Sequence, residues 1–554
     1  MKTFKMTLLA TSIAVLAGCN SSDDNDDNKV SIAPKDEASL AWYQNSAAEV
    51  TTAESVAQAI DNAKGSAKNI ILFVGDGMGV STVTAGRILE GQQQGMTGEE
   101  NMLSFDDFPF SGLSKTYNTN QQTPDSAGTM TAMMSGVKSK AGVIGVSEDV
   151  VRADCVSSQG TELATALELA EIAGKSTGIV STARITHATP AATYAKSPER
   201  NWEDDGDMPQ AARDAGCLDI ADQLIQFEDL LEARVNGGAD STYIDGIDVV
   251  MGGGRRSFLP NDASANSLDA VSTIEGDRTD GRNLITEWQT EYPTGSYIMD
   301  QAGFDAIDPT ATTKVLGLFN ESHMHYEADR ANDGQGEPSL SEMTSKAIDV
   351  LDNNENGFFL MVESGRIDHG HHAGSAYNAL TDTVEFANAV KAAVEGTDPE
   401  DTLIIVTADH SHVFTIAGYP TRGNPILGKV VTNDSNGEPL SEPALAADDM
   451  PYTTLAYTNG MGFHDLGSET DADAVYSEAI VSGRADISAV NTESTGFHQE
   501  ALVPMSSETH AGEDVGIYAV GPGAQLITGT NEQNIIFHVM NHAGNLLEQA
   551  ENRL

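Results

Sequence analysis

Six apolar runs constrain this chain more than any other feature: NIILFVGDG from 69, STGIVST from 176, DVVMGGG from 248, GFFLMVES from 357, TLIIVTADH from 402 and GIYAVG from 516. They are continuous rather than alternating, which is what strands buried on both faces require. Segments of helical character lie between them, such as 161–174 and 339–352. The pattern predicts an α/β fold with a doubly wound, largely parallel central sheet flanked by helices. A stretch rich in Gly, Pro, Asn and Asp at 418–500 interrupts it and reads as an inserted loop-rich subdomain.

Open sheets of this kind bind ligands beyond the carboxyl ends of their strands. Here those ends carry Asp76, Glu363, and Asp409 followed by His410. One Asp after a strand is ordinarily a turn former or helix cap. Three strand ends bearing ligand-type residues suggest a metal site instead. The densest stretch, LMVESGRIDHGHH at 360–372, sets His369, His371 and His372 beside Glu363 and Asp368. Asp368 and His372 are four apart, so on a helical turn they face one way and can share an ion. His371 reads as a packing or surface residue. His510, in ETHAGEDV, offers a further imidazole. Imidazole favours zinc, whereas carboxylate with hydroxyl favours magnesium.

TPDSAGTMTAMMSG at 123–136 puts Ser126 at the start of a helical run, where backbone N–H groups favour anions. A serine there is also an ordinary N-cap. Arg200, in SPERNW, carries a guanidinium fork that matches two phosphate oxygens, although a lone loop arginine is commonly structural.

Charge and the N-terminus narrow the setting. With 83 Asp plus Glu against 30 Lys plus Arg, the net charge is -53 and the chain repels nucleic acid and anionic lipid heads. Such a halophile-like surface suits salty surroundings, where screening relieves self-repulsion. Lys2 and Lys5 precede an apolar stretch from Met6 to Leu16 that ends in LAGC. Residues 1–18 therefore read as a signal peptide of the bacterial lipoprotein type, with Cys19 the lipidated residue. The stretch is too short to span a bilayer. Residues 19–65 read as an acidic tether and an N-terminal helical segment. The expected location is periplasmic or anchored to the outer membrane, touching the membrane only through lipid. Export makes a disulfide between Cys155 and Cys217 the expected pairing.

Together these stretches resemble one family, the alkaline phosphatases. The resemblance runs from about Asn69 to about Met540 through VGDGMG, PDSAGTMTAMMSGVK, RITHATPAATYA, RNW, MGGGR, VESGRIDHGHH, TADHSHVF and THAGEDV, in family order. RIDHGHH and RNW are closer to the animal and marine bacterial branch, which also has a disulfide at positions matching Cys155 and Cys217. The resemblance implies two Zn2+ and one Mg2+ per subunit: one zinc on Asp368, His372 and His510, the other on Asp76, Asp409 and His410, and magnesium on Asp76, Thr189 and Glu363. It makes Ser126 the nucleophile, Arg200 the phosphate clamp, and His412 a neighbour of the first zinc that helps orient phosphate. His187 and His369 then surround the third metal, where the enteric bacterial pattern has an Asp and a Lys.

The implied activity is hydrolysis of a broad range of phosphate monoesters through a phosphoserine intermediate, releasing inorganic phosphate. The catalytic domain would comprise 66–417 and 501–550, with 418–500 a crown-like insertion shaping a homodimer. One departure is GLFN, where Asn320 stands in place of a calcium-binding Glu of the vertebrate branch, so the resemblance does not carry that site over. The nearest alternative, a diesterase, sulfatase or mutase on the same metalloenzyme fold, is distinguished by comparing turnover of monoester, diester and sulfate ester.

Overall fold

In the computed structural model, which describes residues 66–237, 241 and 243–554, all six runs are strands of one ten-stranded sheet. Its strands are β1 (Asn69–Gly75), β2 (Phe110–Lys115), β3 (Ser176–Arg184), β4 (Val249–Gly253), β5 (Ser296–Ile298), β6 (Val315–Leu318), β7 (Phe358–Ser364), β8 (Thr402–Ala408), β9 (Val515–Val520) and β10 (Gly529–Glu532). Their spatial order is β10-β2-β9-β8-β1-β7-β3-β4-β6-β5. Only β9 runs against its neighbours β8 and β2; every other pairing in the sheet is parallel.

The continuous apolar runs have their explanation in burial. Every residue of β1, β7 and β8 is buried, and the pleat sends alternate side chains into two cores. Ile70, Leu72 and Val74 face the helices Ala166–Ile172 and Ile535–Gly544, while Ile71 and Phe73 face Leu340–Leu351 and Ala376–Gly396. Two of these helices begin at capping boxes, Thr165 with Glu168 and Ser339 with Glu342, which satisfy N–H groups left free at a helix start. At the centre, the register sets Val74 beside Glu363 and Gly75 beside Ala408. Three carboxyl ends thus meet side by side.

The 418–500 segment contributes a strand, Leu455–Gly460, to a small sheet whose other strands, Phe414–Ile416 and Ala501–Pro504, flank the segment in sequence. All described residues fall within one compact unit. The signal peptide at 1–18, the lipidation site Cys19 and the tether lie outside the described residues. No helix among the described residues is long and apolar enough to cross a membrane.

Cys155 and Cys217 are joined, and they pack with Trp202, Met208 and Ala212. Closing a loop of this size restricts the unfolded chain, by about 4 kcal/mol on chain entropy. Replacing both cysteines with serine should lower the melting temperature by roughly 4 °C. An unchanged melting curve would show that the bond adds no net constraint.

Candidate metal centre and active site

The sheet alone assembles four of the expected donors. Asp76 follows β1, Asp409 and His410 follow β8, and Glu363 is the penultimate residue of β7. Asp368, His369 and His372 lie on the helix Arg366–His372, and His510 faces His412 across a short antiparallel bridge. Thr189 lies in the helix Ala188–Ala191, whose N-cap is His187. Ser126 is the first residue of the helix Ser126–Ser135. Asp125 caps that helix by accepting from Gly128 N, so Ser126 is not the cap.

Three donor groups have ligand atoms within 4.8 Å of one another: Asp368 with His372, His412 and His510; Asp76 with Asp409 and His410; and Asp76 with His187 and Glu363. Asp76 belongs to two of them. In the first group His372 Nε2 and His510 Nε2 lie 3.1 Å apart, at 3.4 and 3.3 Å from Asp368 Oδ1. Their Nδ1 atoms donate to the carbonyls of Glu508 and Pro124 at 2.7 and 2.8 Å. That leaves each Nε2 as the lone-pair donor a metal requires. In the second group His410 Nε2 lies 3.3 Å from both Asp76 Oδ1 and Asp409 Oδ2, and 3.1 Å from Ser126 Oγ. Arg200 donates to Asp125 Oδ2 at 3.1 Å and to His187 Nε2 at 3.1 Å, so it leans on the cap of the Ser126 helix.

Burial sets the electrostatics. It raises Asp76 well above the usual carboxylate range, helped by the charge of Asp409; it also raises Asp409, and takes Glu363 to about 8. The imidazoles move the other way, with His410 and His187 pushed well below their usual value and His372 to about 4. Burial would raise Asp368 too, but the imidazoles around it, His372 first and then His412 and His510, hold it well below. Asp76 Oδ2, Glu363 Oε1, Thr189 Oγ1, His187 Nδ1 and His410 Nδ1 are buried without a hydrogen-bond partner among the described residues. Orphaned polar atoms in an interior are costly. The first three belong to the residues expected to hold magnesium, and the donor chemistry of all three groups fits cations.

Several candidates take places that local sequence does not specify. His412 enters the first donor group itself, with Nε2 2.8 Å from Asp368 Oδ1. His187 enters the third, beyond the surrounding role expected of it. His369 Nδ1 meets Arg366 Nη1 at 3.1 Å, and its ring centre lies 4.1 Å from that of His323. His371 is a buried packing residue, held by Thr82 Oγ1 and Tyr457 OH at 2.9 and 2.8 Å. Sequence reasoning did not single out Asp125, His323 or Glu508. A helix-capping rule finds Asp125 in TPDS, whereas His323 and Glu508 sit in loops with no local signal.

VGDGMG has a steric requirement at Gly77. Its φ is +69°, and a Cβ there would lie 2.3 Å from His412 Nε2. Gly77→Ala should therefore displace His412 and lower kcat/KM by about 100-fold, since a shift near 1 Å can cost that much. Parent-like activity would mean that the ring moves without consequence.

The family model described as alkaline phosphatase matches residues 67–546. The chain is 44% identical over 480 residues to the tissue-nonspecific alkaline phosphatase isozyme of Gallus gallus, covering 86% of this chain and 84% of that one. It is 43% identical over 482 residues to the alkaline phosphatase of Gadus morhua, covering 87% and 92%. Among solved structures it is similar in fold to the alkaline phosphatase of Thermus thermophilus, with a TM-score of 0.57 and 23% identity over 89% of this chain and 96% of that one. The enzyme of the Antarctic bacterium TAB5 gives a TM-score of 0.54 at 21% identity, covering 87% and 99%.

Proposed function

Since the chain belongs to the alkaline phosphatase family and is a phosphoric monoester hydrolase, we propose that it hydrolyses a broad range of monoesters through a phosphoserine formed on Ser126. The observation that carries this reading is the Ser126 hydroxyl. It stands at a helix N-terminus, is not spent on capping, and lies 3.1 Å from His410 Nε2 and 3.5 Å from Asp76 Oδ1.

Zinc held by Asp368, His372 and His510, zinc held by Asp76, Asp409 and His410, and magnesium held by Asp76, Thr189 and Glu363 would supply Lewis-acid stabilisation of the attacking and leaving oxygens. Ser126 Oγ gives up its proton and attacks phosphorus in line, and its bond to phosphorus forms as the ester bond breaks and the departing alkoxide takes up a proton to leave as the alcohol. The first N–H groups of the helix Ser126–Ser135 and the fork of Arg200 hold the nonbridging oxygens. Asp125 fixes one arm of that fork. A dianionic monoester presents more charge to it than a diester does. Water then attacks from the vacated side, the bond to Oγ breaks, Ser126 regains its proton, and inorganic phosphate leaves.

The reading extends to export, a lipid anchor on Cys19 and a homodimer formed around 418–500.

Turnover of p-nitrophenyl phosphate by purified protein tests the function. Activity should vanish with chelator, return with zinc plus magnesium, and greatly exceed activity on bis(p-nitrophenyl) phosphate and p-nitrophenyl sulfate. Metal analysis should find two zinc and one magnesium per chain. Full activity in chelator, or a preference for the diester, would overturn the reading.

A further inference from the structure

Glu508 is assigned no role in the expected site, yet it grips two members of the Asp368 group. It is 1% exposed and lies two residues before His510. Its Oε2 lies 2.5 Å from His412 Nδ1, and its Oε1 accepts from Val413 N at 2.8 Å. Its carbonyl accepts from His372 Nδ1 at 2.7 Å, while its own N–H donates to His372 O at 3.0 Å. The carboxylate therefore holds the chain that follows β8, and the backbone holds the end of the helix Arg366–His372. His412 passes the first grip on to Asp368, which its Nε2 meets at 2.8 Å. The stacked ring of His371, 4.8 Å away, closes a further side of His412.

We propose that Glu508 is a positioning residue for the phosphatase reaction, whose carboxylate fixes His412 against Asp368 so that Asp368, His372 and His510 converge on one zinc. The proposal rests on reading that group as a zinc site. Without the carboxylate, His412 Nδ1 is a buried donor with no acceptor, and the ring gains by turning away from Asp368. Both carboxylate oxygens are in use. Gln at this position has a single acceptor oxygen and serves His412 or Val413 but not both, whereas Ala serves neither.

The test uses the full zinc-loaded chain, with Glu508→Gln and Glu508→Ala beside the parent. Each is dialysed against graded chelator while zinc per chain and p-nitrophenyl phosphate turnover are measured. Losing a residue that orients a metal ligand typically costs about 10–100-fold in affinity. Glu508→Ala should lose one zinc equivalent at a free-zinc level higher than the parent does by that factor, keep the other, and regain activity when free zinc is raised. Glu508→Gln should fall between. A purely structural role would show no selective loss of one zinc and no rescue by zinc. If Glu508→Ala does not fold, Glu508→Gln decides the matter. Equal zinc retention in parent and variants overturns the positioning role, whereas a parent that retains no zinc overturns the zinc-site reading.

Discussion

Ser126→Ala should lower kcat/KM for p-nitrophenyl phosphate by about 1,000-fold or more, the scale seen when a catalytic nucleophile is removed. It should also abolish the acid-stable phosphoprotein formed by the parent. The substitution leaves the scaffold intact, because Asp125 is the helix cap and alanine is a good helix residue. The nearby Thr129 hydroxyl is not free to take over. Thr129 Oγ1 is held by Asp125 O, Ser126 O and Asp409 Oδ2 at 3.0, 3.1 and 3.3 Å. Acid quenching after incubation with labelled phosphate, followed by peptide mapping, reads the result. Label on the alanine variant would mean that phosphate is carried elsewhere.

Chelation should have the second large effect, on stability as well as activity. An ion at about 1,000 times its dissociation constant stabilises the folded chain by about 4 kcal/mol. Stripping the site should therefore lower the melting temperature by roughly 10 °C or more. The effect should depend on pH with a definite sign. In the stripped chain Glu363 is raised to about 8 and Asp76 is raised well above the carboxylate range, both by burial first. A raised carboxyl contributes stability that is full below its unfolded pKa and is lost as pH rises through its folded one. The stripped chain is thus penalised most near pH 9 and recovers as the pH falls toward 6. Bound cations remove that penalty. Lys175 and Lys196, lowered to about 8 by burial, act in the opposite direction but in both forms. The measured quantity is accordingly the difference in melting temperature between loaded and stripped protein, which should narrow as the pH falls from 9 to 6. A constant or widening gap would mean that these acids are not the groups the ions neutralise.

Much of the site was legible because strand burial and donor chemistry are local. A strand covered on both faces must be apolar at nearly every position, so β1, β7 and β8 announce themselves, and an acid at the end of such a strand is conspicuous. Four strands escaped reading: β6, VLGL, is apolar and fully buried but only four residues long, and the other three lack this mark. β2, FSGLSK, is only partly buried, β5 has three residues, and β10, GTNE, is a polar edge strand. Ser126 was legible as a helix start, but whether it served as cap or as free hydroxyl depended on Asp125.

By itself the sequence determined the α/β class, the buried runs, the donor types and, through motifs in family order, the chemistry to expect. The tertiary structure alone decided that β1 lies between β8 and β7, that β9 runs against the sheet, and that Gly77 N reaches Asp409 Oδ1 across 332 positions. It also decided that His412 joins Asp368 and that Glu508 supports both His412 and His372. The reason is physical. Periodicity and composition record how deeply a residue is buried, whereas strand order and side-chain partners follow from hydrogen bonds between segments far apart in sequence, which no single segment encodes.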